Sequence, residues 1–288
     1  MMNDETVLLL GAVAYDPKVV TIWEGFKAYF ARHSLRMDYV LYSNYERQVE
    51  ALINGHIHVA WNSPLAWVRA RRLAAARGLE ARAVAMRDTD CELTSVVVVR
   101  EDGPIRAVTD LKGRVVAVGA VDSPQATLLP LAHLHTQGLD PGLDIVVHYH
   151  NVFVGKHGDH IGGERDAAQA LITGSAGAAC LLEYNYHLFL LEGTLPAGTT
   201  RMLARTPSFD HCNFTVVSTA SPELIAHFQS LLIDMSYEDP DVRPLCDLEG
   251  LQAWYPGRVD GYQALEAAVA LAGFYDQQGN VTATDYQF

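Results

Sequence analysis

What most constrains this chain is its punctuation. Short apolar runs of strand length alternate with longer segments whose apolar residues recur at helical spacing, and the breaks fall on glycine, proline, asparagine or serine. Residues 7–13 read as a strand. Val20 to Arg32 follows as a helix, because Ile22, Trp23, Phe26, Tyr29 and Phe30 share one face. Met37 to Tyr42 is a strand, and Tyr45 to Ile53 a helix stopped at Asn54-Gly55, where glycine takes the left-handed conformation. His56 to Trp61 is a strand, and Pro64 to Arg77 a helix with proline in its first turn. Strong strands recur at Thr94 to Arg100, Val115 to Val118, Ile145 to His150 and Asn213 to Ser218. Helices are expected from Ser123 through His135, ending at Gly138, from Glu164 to Ile172, and largely from Pro222 to about Tyr275, with a polar tail after it. Such alternation predicts an α/β fold, a parallel sheet with helices on both faces.

With 288 residues the chain makes two compact lobes or one large one. Apolar residues at 49% suffice for a core. Thirty-four acidic against 21 basic side chains give a formal net charge of −13, which argues against nucleic acid or anionic lipid as partner. A small anion stays open, since a few aimed amides hold one inside an acidic protein. No apolar run reaches the length of a membrane span. The acidic start Met1–Thr6 leads directly into the first strand without the basic and apolar regions of a secretory signal, so the chain as written is expected in the cytoplasm. A mature domain trimmed of its signal would look the same and belong to the periplasm. Cys91, Cys180, Cys212 and Cys246 form no CxxC pair and read as reduced thiols.

One internal echo stands out. The segment from Gln48 to Ala60 resembles that from Ala167 to Ala179: a helix ends at glycine, Gly55 or Gly174, and a short strand follows. Coincidence in an α/β chain and two similar lobes both account for it. The stretches Gly55-His56-Ile57-His58-Val59-Ala60-Trp61-Asn62-Ser63-Pro64-Leu65-Ala66-Trp67, Leu111-Lys112-Gly113-Arg114-Val115 and Asp122-Ser123-Pro124-Gln125-Ala126-Thr127-Leu128-Leu129-Pro130, with Asn44-Tyr45 before them and Gly155-Lys156-His157 after, carry a further likeness. In order and spacing, over roughly residues 7–220, the sequence resembles the type II periplasmic binding proteins, in the phosphonate/phosphite branch of ABC-transporter substrate-binding proteins. The resemblance implies two lobes joined by two crossing strands, with a ligand cleft between them. Thr94–Val98 and Phe214–Val217 are placed to be the crossings, giving residues 1–95 plus 212–288 as lobe one and 96–211 as lobe two. It also implies a small anionic ligand, such as a phosphonate or phosphate ester, and an ABC permease as partner where a signal peptide has been removed.

Ser63-Pro64 and Ser123-Pro124-Gln125-Ala126-Thr127 each sit where a strand gives way to a helix. The first amides of a helix lack internal partners and carry the positive end of its dipole, so two such turns can cradle an oxyanion. Helix capping is the plain alternative. With the resemblance, Ser63, Ser123, Gln125 and Thr127 are expected to touch ligand. Tyr15, after the first strand, and Tyr45, opening a helix, are either ligand contacts or core-edge aromatics. By resemblance, Glu183 and Tyr184 occupy the second-lobe position matching Ser63, where an acidic residue meets a cationic part of the ligand, and His157 donates to a ligand oxygen. His148 and His150 share a strand face, and His157, Asp159 and His160 follow in a glycine-flanked loop. A hydrogen-bonding histidine cluster accounts for them, and so does a metal held by His157 and His160. Cys91, His211 and Cys212 come together if the crossing strands pair, which would give an enzyme on the same fold using His157, His211 or Cys212, with iron or zinc as its metal. The binding reading needs no cofactor. Arg69, Arg71 and Arg72 read as a solvated helix face.

Overall fold

The computed structural model describes residues 7–288; the acidic start on which the cytoplasmic expectation rests lies outside them. In chain order the elements are β1 (Leu8–Val13), α1 (Lys18–Arg32), β2 (Met37–Tyr42), α2 (Tyr45–Ile53), β3 (Val59–Asn62), α3 (Pro64–Ala76) and β4 (Ala81–Arg87). Next come β5 (Ser95–Arg100), β6 (Val115–Val118), α4 (Leu129–Thr136), β7 (Val146–Tyr149), α5 (Gly162–Thr173), β8 (Ala178–Leu182), α6 (Glu183–Glu192) and β9 (Thr200–Arg205). β10 (Asn213–Val217), α7 (Pro222–Ile233), α8 (Arg243–Glu249), β11 (Trp254–Pro256) and α9 (Gln263–Ala272) complete the chain.

The chain divides into two units. The first, of residues 7–91, 210–261 and 277–280, holds a six-stranded sheet in the order β11-β4-β10-β3-β1-β2. Period-two alternation distributes β1 between two cores: Leu8, Leu10 and Ala12 enter one cluster, Leu9 and Val13 the other. The first cluster is aromatic. The face of α1 buries Trp23, Phe26 and Phe30 with Trp61, Phe214, Phe228 and Trp254, and the Trp61 and Phe214 rings lie 4.6 Å apart. The second is small and aliphatic, with Val49 and Leu52 of α2 packed on Ala66, Ala70 and Ala74 of α3.

The second unit, of residues 92–209, 262–276 and 281–288, holds a five-stranded sheet in the order β7-β6-β8-β5-β9. The continuous valine run of β5 is explained by burial on both faces: Val96 and Val98 join Ala167, Leu171 and Phe189, while Val97 and Val99 join Leu111, Leu134 and Leu139.

Several expectations change. Both sheets are mixed, not parallel: β10 runs antiparallel between β3 and β4, and β5 antiparallel between β8 and β9. β5 lies inside the second unit's sheet and β10 inside the first's. The chain leaves the first unit after Cys91 and returns to it at Asp210. Beside these points, Leu93 bridges Phe209 within the second unit, and His211 N–H donates to the Asp90 carbonyl within the first. The C-terminal stretch also divides differently from 212–288 in one lobe. α9 packs against α4, and the Phe274 and Tyr286 rings lie 4.8 Å apart, tilted at 46°; 262–276 and 281–288 belong to the second unit. Arg69 is not solvated: it is 5% exposed and donates to the carbonyls of Gly279 and Glu46 and to the Glu50 carboxylate. Among the described residues no helix is long and apolar enough to cross a membrane.

Candidate functional site

In the first unit the site begins at the end of β3. Ser63 is extended (φ −62°, ψ 163°) and caps α3, its Oγ accepting the Ala66 amide at 3.1 Å, while Pro64 fills the first helical position, where a missing N–H removes no bond. Residue 62 was not singled out by sequence, yet it is the sharper feature. The inward face of α2, set by Tyr45, Val49 and Leu52, also carries Gln48 into the interior, fully buried. Gln48 Nε2 donates to the Trp61 carbonyl at 2.8 Å and to Asn62 Oδ1 at 2.9 Å. The carbonyl fixes which end of the Gln48 amide points there, and Gln48 in turn fixes Asn62. Asn62 Nδ2 is thereby turned the other way, buried and without a hydrogen-bond partner. A buried amide donor left so costs about 1–3 kcal/mol until an acceptor arrives. The only sequence signal was an asparagine closing the otherwise apolar run Val59-Ala60-Trp61.

In the second unit the matching turn follows β6. Ser123 Oγ accepts the Ala126 amide at 3.2 Å, and the next turn, Pro124–Leu128, is π-wound before α4 begins, where a continuous α-helix from Ser123 was expected. The cause is Pro130: without an N–H it leaves the Ala126 carbonyl no helical partner, and that carbonyl accepts from Gly119 N instead. Gln125 and Thr127 are buried and already bonded within the unit, Gln125 Nε2 to the Gly158 carbonyl at 2.8 Å and Thr127 Oγ1 to the Ala120 carbonyl at 2.8 Å. Asp122, missed by sequence reasoning, organises the loop opposite. Its Oδ2 accepts the amides of Gly155 at 2.6 Å and His157 at 3.1 Å. His157 is held at φ +50°, a conformation uncommon for histidine, fully buried with Nε2 3.4 Å from Tyr286 Oη. Gly158 follows at φ +77° and lies so close that a Cβ there would stand 2.4 Å from Ser123 Oγ. Ser123, Gln125, His157 and Gly158 are thus one assembled group, and Thr127 braces it from behind.

The other expected residues are placed elsewhere. Tyr45 is 1% exposed in the aliphatic core, and Tyr15 rests half-buried on the aromatic one. Glu183 opens α6, ion-paired with Arg205 and hydrogen-bonded by Thr94, and Tyr184 is 69% exposed. His148 and His150 do share a face, rings 4.7 Å apart, and burial together with His148 lowers the pKa of His150. His160 Nδ1 accepts the Gly162 amide, and His157 Nε2 lies 3.4 Å from Tyr286 Oη.

Among the described residues the donor atoms that converge as a ligand-like trio belong to Asp90, His211 and Cys212; the Cys91 thiol donates to the Arg87 carbonyl at 3.6 Å. The trio lacks the layout of a nucleophile, base and orienter. Cys212 Sγ at 3.1 Å and Asp90 Oδ1 at 3.5 Å both address His211 Nδ1, whereas such a triad uses the two ring nitrogens separately. Both Asp90 oxygens are also held by the Arg87 guanidinium, at 2.6 and 2.9 Å, a fixed positive charge where a cation would sit. Arg87 further bonds Glu249, so this cluster is a buried ion-pair network beside the points where the chain changes unit.

Solved structures of similar fold include PhnD1 from Prochlorococcus marinus in complex with methylphosphonate (15% identity, TM-score 0.67, 92% of this chain and 97% of that one). A Xanthomonas citri protein bound to ATP matches at 15% identity and TM-score 0.70, covering 92% and 98% of the two chains. The periplasmic aliphatic sulphonate binding protein SsuA from Escherichia coli matches at 20% and 0.56, covering 90% and 89%. These likenesses establish the type II binding-protein fold. Residues 12–266 match the family described as ABC transporter, phosphonate, periplasmic substrate-binding protein, and the chain belongs to that family.

Proposed function

We propose that this chain binds a small phosphonate-type oxyanion and that each unit carries an oxyanion-binding turn: Asn62, Ser63 and the opening amides of α3 in the first, the Ser123–Thr127 turn with His157 in the second. The observation that carries the reading is Asn62 Nδ2, a buried donor aimed by Gln48 and the Trp61 carbonyl, without an acceptor, at the start of a helix whose dipole favours an anion. Family membership and the methylphosphonate complex of a protein of the same fold support it. The family's description favours the periplasm over the cytoplasm as the setting, and an ABC permease as the partner. For the enzyme alternative, the contacts of His211 place thiol and carboxylate on the same ring nitrogen and do not support a nucleophile–base–orienter arrangement.

Calorimetric titration and thermal unfolding with methylphosphonate test the reading. Bound ligand at 100 times Kd stabilises by about 2.7 kcal/mol. Asn62→Leu is expected to weaken binding roughly tenfold to a hundredfold, the worth of a hydrogen bond to a charged group. Unchanged affinity in that variant, or no thermal shift with any phosphonate, phosphate ester, sulfonate or carboxylate, refutes it.

A further inference from the structure

Gln125 presents the opposite polarity. Its side chain is 3% exposed, and Nε2 lies between two acceptors, the Gly158 carbonyl at 2.8 Å and Glu164 Oε1 at 3.5 Å. Glu164 cannot be displaced cheaply, since its other oxygen accepts the Leu182 amide at 2.8 Å and Asn185 Nδ2 at 3.0 Å. Reversing the Gln125 amide would set its oxygen against both acceptors, so the orientation is fixed. Oε1 is then turned from them, buried and without a hydrogen-bond partner, in the same turn whose Ser123 stands against Gly158. A carbonyl oxygen in that position repels a bare anionic oxygen and attracts an O–H.

We propose that Gln125 is a specificity residue whose side-chain carbonyl accepts a hydrogen bond from a protonated ligand oxygen, so that the site takes monoanionic phosphonates and phosphate esters, which keep one P–OH, and rejects sulfonates. The proposal rests on the oxyanion reading above. A sulfonate at neutral pH has acceptor oxygens only, and binding it leaves Oε1 unsatisfied against a like-charged neighbour. Leaving one buried acceptor unmatched corresponds to a loss of roughly tenfold to a hundredfold in affinity. The dianion formed by the second ionisation of a phosphonate lacks the same hydrogen and is disfavoured in the same way.

The experiment compares methylphosphonate with methanesulfonate by calorimetric titration of the wild-type chain, at pH values from below to above the second ionisation of methylphosphonate (that of phosphate esters lies at about pH 6). Titratable groups stand beside this turn (Asp122, His157 and Glu164) and on the elements packed against it (Cys180 on β8, His133 on α4 and Glu266 on α9). Methanesulfonate reports their effect alone, because it has no proton to lose in this range. The expected result is tighter binding of methylphosphonate, roughly tenfold to a hundredfold, with the advantage shrinking as pH rises through the ligand's ionisation. Gln125→Leu is expected to erase the advantage at every pH. Equal binding of the two ligands throughout overturns the role of Gln125 while leaving the oxyanion reading intact, and so does an advantage that survives in Gln125→Leu. Binding of neither ligand overturns the oxyanion reading and this inference with it. If Gln125→Leu does not fold, Gln125→Met, which keeps the side chain's length without its carbonyl, takes its place with the same two outcomes.

Discussion

Replacing Asp90 by asparagine tests the ion-pair network beside the chain crossings. Asp90 is 1% exposed, and burial opposes its ionisation, yet Arg87 and His211 hold the carboxyl at about 2 against an ordinary 3.8. Between those values the unfolded chain binds more protons than the folded one. Stability therefore rises with pH across the interval and is lost as pH falls from about 4 through about 2. The difference is worth about 2.5 kcal/mol at neutral pH. Glu249 works the other way. Burial lifts its pKa, with Arg87 only partly opposing, so its ionised form withholds stability at neutral pH and returns it on acidification. The wild-type acid profile mixes both, and Asp90→Asn removes the Asp90 contribution together with the part of the Glu249 shift that the Asp90 charge causes. Urea unfolding at pH 7 is expected to show a gap of about 3 kcal/mol, the low end for breaking a buried pair, since the change leaves the partly buried Arg87 charge with only Glu249 beside it. By pH 2 the gap narrows by about 2 kcal/mol, as the wild-type carboxyl takes up its own proton. A gap under about 1 kcal/mol at pH 7, or one that stays constant with pH, refutes this account of the network.

Two shorter predictions concern the turns themselves. Gly158→Ala meets both a positive φ and a Cβ position 2.4 Å from Ser123 Oγ, so it is expected to lower the melting temperature and abolish methylphosphonate binding; titration with near wild-type affinity contradicts the assembled group. Ser63→Gly changes helix capping by only a few tenths of a kcal/mol while removing a hydroxyl. Binding is expected to weaken roughly tenfold with the melting temperature almost unchanged, and parallel losses in both would mean that Ser63 only caps.

Where side-chain periodicity and stop residues decide structure, the sequence was readable. β2, α2 and β6 run over the expected residues, the buried face of α1 is the one its spacing marks, and both echoed helices stop at a left-handed glycine, Gly55 at φ +74° and Gly174 at φ +79°. What escaped reading depended on pairing at long range. β4, Ala-Arg-Ala-Val-Ala-Met-Arg, has little intrinsic strand preference and is held by β10 and β11 on either side. The three residues of β11 sit in a stretch that reads as helix until Trp254 pairs with Arg87. Arg69 reads as solvated because the carbonyl it needs, at Gly279, is 210 residues away. For the site, serine and proline marked both turns, but Asn62 and Gln125 gain meaning only from what orients them, the Trp61 carbonyl in one case and those of Gly158 and Glu164 in the other.

Capping and ligand contact, set against each other as readings of Ser63 and Ser123, are compatible in chemistry. Each Oγ accepts an amide three residues on, at 3.1 and 3.2 Å, a bond that draws on a lone pair and not on the hydroxyl hydrogen. Accepting that bond polarises the O–H and makes it the better donor. The same residue can therefore settle a helix start and offer a proton to an oxyanion. Frequency of serine at helix starts, the basis of the capping reading, then carries no weight against the binding one. The distinction passes to neighbours that serve no cap: an asparagine whose free end can only donate, and a glutamine whose free end can only accept. The first asks for a bare oxygen and the second for a hydroxyl; a half-protonated phosphonate carries both, and a sulfonate only the former.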